Sequence, residues 1–227
     1  DGHYHFRGTL VYDGVVYDHI HYHIRGQVST FRWGKNKCRF KFNRGHYFQA
    51  RDDYGSPYEN KWDNLILGTG TCPWWKYPHP DGSWDQGAGG MVLNEPLSYR
   101  LYNLAGVPAP HTNFFHFRVI DEAAEAGPTQ YDGDFWGLYF AVEDPDRRFL
   151  REHGLDDGNV YKMEVGTPDR RNQSATQVID KSDVWAFING QNDSSPQNWW
   201  ENNVDLDGYY RFRTVGIAIN NSDPVSY

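Results

Sequence analysis

Apolar and polar residues alternate along the first part of the chain, as they do in strands that bury one face. Residues 16–25 predict one such strand, with Ile20, Tyr22 and Ile24 on its apolar face. Its opposite face carries imidazole and basic side chains, those of His19, His21, His23 and Arg25. Residues 37–42 alternate in the same way and predict a second strand that pairs back on the first. The polar face of this second strand is formed by Lys37, Arg39 and Lys41.

Helical periodicity follows further along the chain. Apolar residues three or four positions apart predict a helix that starts near Asn94, has Pro96 in its first turn and stops at Gly106. Residues 206–219 have the clearest helical pattern of the second half. Residues 169–203 are polar and show no clear pattern. Other predicted elements are strands at residues 60–67, 114–120, 135–142 and 160–165, and a short helix capped by Asp144 with Pro145 at its first position.

This order of elements predicts an α+β protein. An N-terminal antiparallel sheet with one long helix is followed by a more helical part. We expect a single domain over residues 1–227, mainly strand-rich through residue 165 and helical from residue 166 onward.

The composition limits the classes of function. Aromatic residues make up 17 % of the 227 residues, whereas the hydrophobic fraction is only 38 %, so we expect a core built from large rings. No apolar run approaches the roughly 20 residues that a membrane-spanning helix needs. The net charge of −8 argues against a general nucleic-acid-binding protein, although it permits nucleotide binding. Cys38 and Cys72 can pair or stay reduced, and the sequence leaves both open.

The segment between the first two predicted strands is a candidate phosphate-binding loop. A flexible loop between antiparallel strands can fold over phosphates, offering backbone N–H groups, hydroxyls and nearby cations. The loop lacks the glycine spacings of the known phosphate-binding motifs, so a polar hairpin loop is the competing interpretation. The residues concerned are Arg25, Gly26, Ser29, Thr30 and Lys35, with the basic strand after them.

Histidines recur at every second position near the N-terminus. His19, His21 and His23 share a strand face, and His3 and His5 repeat the spacing. Two imidazoles at this spacing can bind one zinc ion. A polar exposed strand face gives the same pattern, and no Cys or carboxylate is placed to complete a site, so we favour that interpretation.

Three acidic residues and one lysine are candidate site residues. Glu95 lies near a helix start, where it can pair with a strand lysine or simply favour the positive helix end. Glu143 ends a buried strand, where ligand contacts and helix caps are both common. Asp223 precedes Pro224, which favours an extended backbone or an Asp–Pro turn. Lys162 alternates with large residues on a strand and is by default a surface lysine.

Four sequence blocks follow one another along nearly the whole chain. The first block is the pair of basic strands around Gly26, and the second is the strand that ends at Glu143. The third begins Asp157–Gly158–Asn159 and contains Lys162, and the fourth is residues 204–210 with the helix that follows. Taken together and in this order, the four blocks resemble the CotH kinase family of atypical, spore-coat-associated protein kinases, and the resemblance extends over nearly the whole chain.

The resemblance implies an atypical protein-kinase-like fold that transfers phosphate from ATP, with Mg²⁺ or Mn²⁺, to Ser or Thr of a protein. Residues 26–35 would cover the phosphates, and Glu95 or Glu143 would orient a cation or a metal. Lys162 would lie along the nucleotide, and Asp223 would accept the proton of the substrate hydroxyl. The residue that neutralises the phosphates would be one of Lys35, Lys37, Arg39 and Lys41. An extracellular, cell-surface or spore-coat location is also implied.

One departure from the family pattern concerns the metal. In the family, a W-D-x-D segment with a metal-binding Asp lies downstream of the catalytic loop. We therefore expect these residues to form a domain truncated at its C-terminus, inactive on its own, and assign no metal ligand within it.

Two other classes of function stay open. One is a non-catalytic coat or cell-surface assembly protein that retains the fold, and the other is a carbohydrate-binding module. Sugar stacking would use exposed tryptophans, drawn from Trp74, Trp75, Trp84, Trp136, Trp199 and Trp200.

Overall fold

The computed structural model describes residues 5–25, 36–69, 93–125, 133–163, 166–192 and 194–220. Strands dominate the first half of the chain and helices the last third, which confirms the predicted α+β class. The strands are β1 (His5–Tyr12), β2 (Val15–Arg25), β3 (Lys37–Lys41), β4 (Asn64–Gly68), β5 (Thr112–Val119), β6 (Asp134–Glu143), β7 (Val160–Lys162) and β8 (Asp169–Asn172). The helices are α1 (Asn94–Leu104), α2 (Arg147–Glu152), α3 (Ser182–Gly190), α4 (Gln197–Asn203) and α5 (Leu206–Ala218), with a 3-10 turn at Ala123–Glu125.

The chain divides into two compact units. The first consists of Asp1–Leu97 and His111–Asp144, and the second of Ser98–Pro110 and Pro145–Tyr227. The first unit contains the large sheet, and the second contains the β7–β8 pair with helices α2 to α5. The single strand-rich and helical domain expected from the sequence stays a prediction.

In the first unit, six strands form one antiparallel sheet in the order β1-β2-β3-β4-β6-β5. The predicted pairing of the first two alternating segments is confirmed, because Tyr22 lies opposite Phe40 and Ile24 lies opposite Cys38. β4 then joins β3 to β6, the strand that is furthest from it in sequence. The middle of the sheet is therefore formed by strands from distant parts of the chain.

A β-bulge interrupts the regular alternation predicted for β2. Leu10 of β1 pairs with Tyr17, and Gly8 pairs with Ile20, so Thr9 faces two residues, Asp18 and His19. Tyr17 and Ile20 consequently both point into the core and are 2 % and 1 % exposed. His19 takes a φ of 51° at the bulge, which places it outside the regular His21–His23 alternation that the sequence predicts.

Aromatic rings form most of the core of the sheet unit, as the composition predicts. Phe6, Tyr22 and Phe40 stack across three strands, with ring centroids 5.3 and 5.5 Å apart. Cys38 lies in the same core as a free, buried thiol, and Cys72 lies outside the described residues. Burial raises the pKa of the Cys38 thiol to about 11.

Helix α1 begins and ends where the sequence predicts. Pro96 lies in its first turn, and Gly106, with a φ of 76°, follows its end. In the second unit, the Asn103 amide then fixes the exiting chain, donating to the Ala109 carbonyl at 2.9 Å and accepting from its N–H at 3.0 Å. Tyr102 stacks on Phe212 of α5 with ring centroids 5.3 Å apart.

One sequence prediction at the start of the second unit is wrong. The short helix is not capped by Asp144, because α2 begins at Arg147 and its cap is Asp146. The Asp146 carboxylate accepts hydrogen bonds from the N–H groups of Arg148 and Phe149 at 2.7 and 3.4 Å. Residues 169–203, which show no pattern, contain β8, α3 and α4. These elements are short, and the five consecutive apolar residues 184–188 of α3 show no helical periodicity.

Among the described residues, no helix combines the length and the apolar character needed to cross a membrane.

Candidate phosphate-binding site

Arg39 occupies the middle of β3, on the face of the sheet opposite the core. Its neighbours Cys38 and Phe40 are buried in the core, so alternation directs Arg39 to the other side. There its guanidinium forms a salt bridge with Asp144, the residue directly after β6. The Arg39 side chain is 25 % exposed and the Asp144 side chain 5 % exposed. The salt bridge is therefore largely withdrawn from solvent.

Strand register explains how two residues so distant in sequence meet. Arg39 lies opposite Ile66 of β4, and Ile66 lies opposite Val142 of β6. Asp144 follows Val142 by two positions and so returns to the same face of the sheet. The guanidinium reaches it across β4, which places an ion pair at the carboxyl end of β6.

One donor of this arginine has no acceptor among the described residues. The Nε atom of Arg39 is buried, and no described residue accepts a hydrogen bond from it. A buried N–H donor without an acceptor costs free energy, so an acceptor from outside the described residues, in the chain or in a ligand, would stabilise it. Phosphate oxygens are well suited to a guanidinium donor of this kind.

Two lysines flank Arg39 on the same face of β3. Lys37 is half-buried and Lys41 is exposed, and neither forms a salt bridge or hydrogen bond with any described residue. Beside them the same face is apolar, because Ile66, Phe140 and Val142 are 8 %, 0 % and 4 % exposed. These apolar side chains are covered by protein, so the part of this face that stays accessible is the basic strand itself.

Glu143 lies next to Asp144 but on the core face of the sheet. It is 1 % exposed, and its carboxylate accepts a hydrogen bond from the backbone N–H of His111 at 3.1 Å. Its own N–H donates to the His111 carbonyl at 3.0 Å, and the His111 ring stacks on Tyr58 with centroids 4.3 Å apart. Glu143 thus ties the end of β6 to the segment that precedes β5.

The other predicted site residues are distributed over both units. Arg25 ends β2 directly opposite Lys37, which adds a fourth cation to the face of Arg39. Glu95 is exposed in the first turn of α1. Lys162 is exposed on β7 in the second unit. The remaining predicted site residues lie outside the described residues, namely Gly26, Ser29, Thr30, Lys35 and Asp223.

The structure brings only two of the histidines together. His5 and His23 lie directly opposite each other, with ring centroids 5.1 Å apart. His19 instead contacts Asp18, its Nδ1 lying 2.9 Å from the carboxylate. No described group of three possible metal ligands includes any of these imidazoles, and His3 lies outside the described residues.

Several tryptophans considered for sugar stacking are engaged in packing. The Trp136 ring meets Phe117 edge-on at 6.0 Å, beside the core of the sheet. Trp199 lies so close to Gly190 that a Cβ added there would be 2.7 Å from its ring. Trp200 meets Trp199 edge-on, with ring centroids 4.9 Å apart. The other three, Trp74, Trp75 and Trp84, lie outside the described residues.

Comparison with protein families agrees with the sequence resemblance. Residues 85–227 match the model of the CotH kinase protein family, which is more than half of the chain. This chain belongs to the CotH kinase family. No curated protein matches the sequence. The matched region contains β5 to β8 and every helix found among the described residues, whereas the CotH-family match begins after the strand that bears Arg39.

The Asp157–Gly158–Asn159 block of this CotH-family chain forms a turn before β7, as predicted. The Asn159 amide donates to Asp183 of α3 at 2.7 Å, and the Tyr161 hydroxyl donates to the other carboxylate oxygen at 2.6 Å. The Arg170 guanidinium lies over the Tyr161 ring, 5.5 Å from its centroid. We call these four residues the Asn159–Asp183 network. It holds β7, the strand of Lys162, against α3.

Hydrogen bonding dominates the electrostatics of the network. Partial burial tends to raise the pKa of Asp183, but the donors on Tyr161 and Asn159 outweigh it and hold this pKa below its usual range. Burial first, and then the hydrogen bond to Asp183, raise the pKa of Tyr161. Each group is therefore kept in the form that maintains the hydrogen bond, as expected for a structural role.

Sequence reasoning missed Asp144 and Asp183. Asp144 was assigned to a helix cap because Asp–Pro is a common helix start. The alternation of side chains along β6 could have identified Asp144 as a site residue, since Val142 and Asp144 share a face whereas Glu143 lies on the other. Asp183 lies in the segment without a pattern, and no sequence signal connects it to Asn159.

Proposed function

We propose that this CotH-family chain transfers the γ-phosphoryl group of ATP to Ser or Thr of a protein substrate, with Mg²⁺ or Mn²⁺. Family membership supports kinase-like chemistry in general. The observation that carries the finer proposal is Arg39, whose buried Nε donor has no acceptor among the described residues and whose flanking lysines are unpaired there.

The chemistry of phosphoryl transfer requires this type of site. The reaction depends on positioning and charge neutralisation more than on covalent catalysis, because the transferred group carries several negative charges. Asp144 fixes the guanidinium of Arg39 in one orientation. Lys37 and Lys41 add charge on either side, so these three residues would hold the phosphates of ATP.

The other roles follow from the family resemblance. Residues 26–35 would cover the phosphates, Arg25 would add a cation, and Glu95 or Glu143 would orient the basic strand or the metal. Asp223 would accept the proton of the substrate hydroxyl, and Lys162 would lie along the nucleotide. When bound, the divalent cation would neutralise charge on the phosphates.

Labelling with [γ-³²P]ATP in the presence of Mn²⁺ or Mg²⁺ tests the proposal on the protein as encoded. Asp223→Ala removes the proposed base and should lower incorporation into a protein substrate by at least about 100-fold. Arg39→Ala should cause a loss of similar size, because it removes the fixed cation. Arg44→Ala is the matched control, since Arg44 is exposed on the turn after β3.

The outcomes distinguish the proposed roles. Labelling that is unchanged in Asp223→Ala would refute that residue as the base. Absence of both labelling and ATP-dependent thermal stabilisation in the unmodified protein would favour the non-catalytic assembly role instead. We also propose a cell-surface or spore-coat location on the resemblance alone, which fractionation with an antibody would test.

A further inference from the structure

Side chains at the two ends of β6 reach β3 on opposite faces of the sheet, although β4 lies between these strands. On one face Asp144, directly after β6, holds the guanidinium of Arg39. On the other face Tyr139 of β6 reaches the start of β3. We propose that Tyr139 is a positioning residue for ATP, whose hydroxyl holds the start of β3 so that Lys37 faces the phosphates. The inference rests on the proposed function and adds to it a residue of the core.

The contact is a hydrogen bond from the Tyr139 hydroxyl to the backbone carbonyl of Asn36, with 3.2 Å between the two oxygens. Asn36 directly precedes Lys37, the first residue of β3. Strand register brings the two partners together, because each lies two positions before a residue that pairs with Leu67 of β4. A tyrosine on the core face of β6 can therefore reach across β4 to the start of β3.

Packing fixes the direction of the Tyr139 side chain. The residue is 0 % exposed and belongs to the core of the sheet unit. The ring of Phe117 on β5 meets its ring edge-on, with centroids 5.1 Å apart. Burial first, and then the neighbouring Cys38, raise the pKa of the Tyr139 hydroxyl. The hydroxyl therefore stays protonated throughout the neutral pH range and continues to donate to the Asn36 carbonyl.

The hydrogen bond supports β3 at the point where its pairing with β2 stops. Among the described residues, the register between β2 and β3 runs as far as the pair of Arg25 and Lys37, so Lys37 ends the ladder. Residues at the end of a ladder open more readily than those within it. The bond from Tyr139 to Asn36 holds the backbone directly beside Lys37, so it stabilises the part of the basic strand that the ladder supports least.

The contacts of Tyr139 and Asp144 lie on either side of Lys37 along β3. Tyr139 holds the chain at Asn36, and Asp144 holds it at Arg39. An ammonium group binds phosphate as a point charge and lacks the fork geometry of a guanidinium, so the backbone that carries it has to set its distance from the phosphates. Loss of the Tyr139 hydroxyl would therefore weaken ATP binding without removing any charge from the site.

The substitution Tyr139→Phe tests the inference, because it removes the hydroxyl and keeps the ring in the core. We expect the Kd and the KM for ATP to rise about fivefold while kcat changes by less than about twofold, since ground-state and transition-state binding weaken together. Isothermal titration with ATP and labelling with [γ-³²P]ATP measure these constants. Tyr17→Phe is the matched control, since Tyr17 is 2 % exposed and its hydroxyl accepts from the N–H of Gln49 at 3.1 Å. Tyr17 lies at the opposite end of β2 from Arg25, so its variant should leave the constants unchanged.

A double-mutant cycle with Lys37→Gln separates positioning from a general loosening of the core. If Tyr139 acts through Lys37, then Tyr139→Phe should weaken ATP binding no further in the Lys37→Gln background. A full additional loss in that background would overturn the inference. Hydrogen exchange over residues 36–41 should also be faster in Tyr139→Phe and unchanged in Tyr17→Phe, and equal exchange in all three proteins would overturn the inference too.

The outcomes separate this inference from the proposed function. An ATP affinity that depends on Tyr139 in a protein without phosphorylation activity would support the positioning role and refute the kinase assignment. ATP binding that Tyr139→Phe leaves unchanged, or that Tyr17→Phe weakens equally, would overturn the role of Tyr139 alone. Absence of ATP binding in the unmodified protein would refute the proposed function and the role of Tyr139 with it. Urea unfolding confirms that each variant is folded under the conditions of the assay.

Discussion

The basic strand of the sheet unit and the Asn159–Asp183 network of the second unit use charged groups in opposite ways. On β3, Lys37 and Lys41 have no partner among the described residues, and Arg39 keeps a buried donor without an acceptor. In the network, Asp183 accepts three hydrogen bonds, from Asn159, Tyr161 and its neighbour Val184.

The difference indicates where ligand chemistry is to be expected. A polar group that is fully satisfied by protein gains nothing from a ligand and serves to fix structure. A fixed cation with unused donors gains a great deal from an anion. Removing the charge at each of the two places should therefore have different effects, and the following changes test that contrast.

The largest effect is expected at the ion pair of the sheet. Arg39→Met leaves Asp144 buried without its counter-ion and should lower the free energy of unfolding by about 3 kcal/mol. The matched change Lys41→Met removes an exposed charge and should cost no more than about 0.5 kcal/mol. Urea unfolding measures both.

A second variant separates stability from binding. Arg39→Met/Asp144→Leu replaces both charges by apolar groups and should recover most of the lost stability while ATP binding stays impaired. Equal stability of the Arg39→Met and Lys41→Met variants would show that the ion pair does not stabilise the sheet.

A somewhat smaller effect is expected at Gly68, which has no ligand role. A Cβ at this position would lie 2.2 Å from the Phe140 ring, and Phe140 is 0 % exposed. Gly68→Ala should therefore destabilise the sheet by about 2 kcal/mol. Adding Phe140→Leu removes the clash, so the double variant should be more stable than the sum of the two single changes predicts. Simple additivity in urea unfolding would contradict this packing argument.

In the Asn159–Asp183 network, removing the acceptor should have a moderate effect. Asp183→Asn keeps the shape but replaces one carboxylate oxygen by a donor, so one of the Asn159 and Tyr161 hydrogen bonds is lost. We expect a loss of about 1 to 2 kcal/mol without loss of ATP binding. Loss of ATP binding in a variant that remains folded would show that the network belongs to the site.

The same residue predicts a dependence on pH. Its pKa is lowered in the folded protein, so its stabilising contribution is complete above the ordinary value of about 3.9 and disappears as pH falls through the lowered value. Unfolding profiles between pH 6 and pH 2.5 should therefore decline less steeply on the acid side in Asp183→Asn. An identical acid decline in both proteins would mean that Asp183 is not held in its charged form.

The smallest effect concerns Cys38, where we expect a difference in the rate of thiol modification rather than in the free energy of unfolding. Its buried thiol has a pKa of about 11, so very little thiolate is present at pH 8. In a Cys72→Ser background, Ellman's reagent should modify Cys38 slowly in the folded protein and rapidly in urea. Fast modification without denaturant would show that the β3 core opens readily.

Much of the sheet could be predicted because alternation is a local signal. β2, β3, β5 and β6 were predicted within a few residues, and α1 was predicted from its apolar spacing with Pro96 and Gly106. The bulge at Asp18 and His19 could not be predicted from alternation, because it changes the register within one strand. Its only signal is that Tyr17 and Ile20, three positions apart, are both large and apolar.

The candidate site was only partly predictable, because it depends on strand order. The sequence identifies Lys37, Arg39 and Lys41 as candidate site residues, whereas it indicates only a helix cap for Asp144. Its relation to Arg39 depends on β4 lying between β3 and β6, which is a long-range contact without a local signal. α3 and α4 have no helical signal in the sequence because both are short and the apolar run 184–188 of α3 is uninterrupted, although Phe187 and Trp199 pack the two helices together.

The position of β4 also determines how the protein can be shortened for laboratory work. β4 ends at Gly68 and pairs with β6, yet the region that matches the family begins at residue 85. A protein started at residue 85 would leave β6 with an open hydrogen-bonding edge and uncover Tyr139 and Ala141, which are 0 % and 3 % exposed. Such a truncation invites aggregation, so an expression boundary belongs before His5.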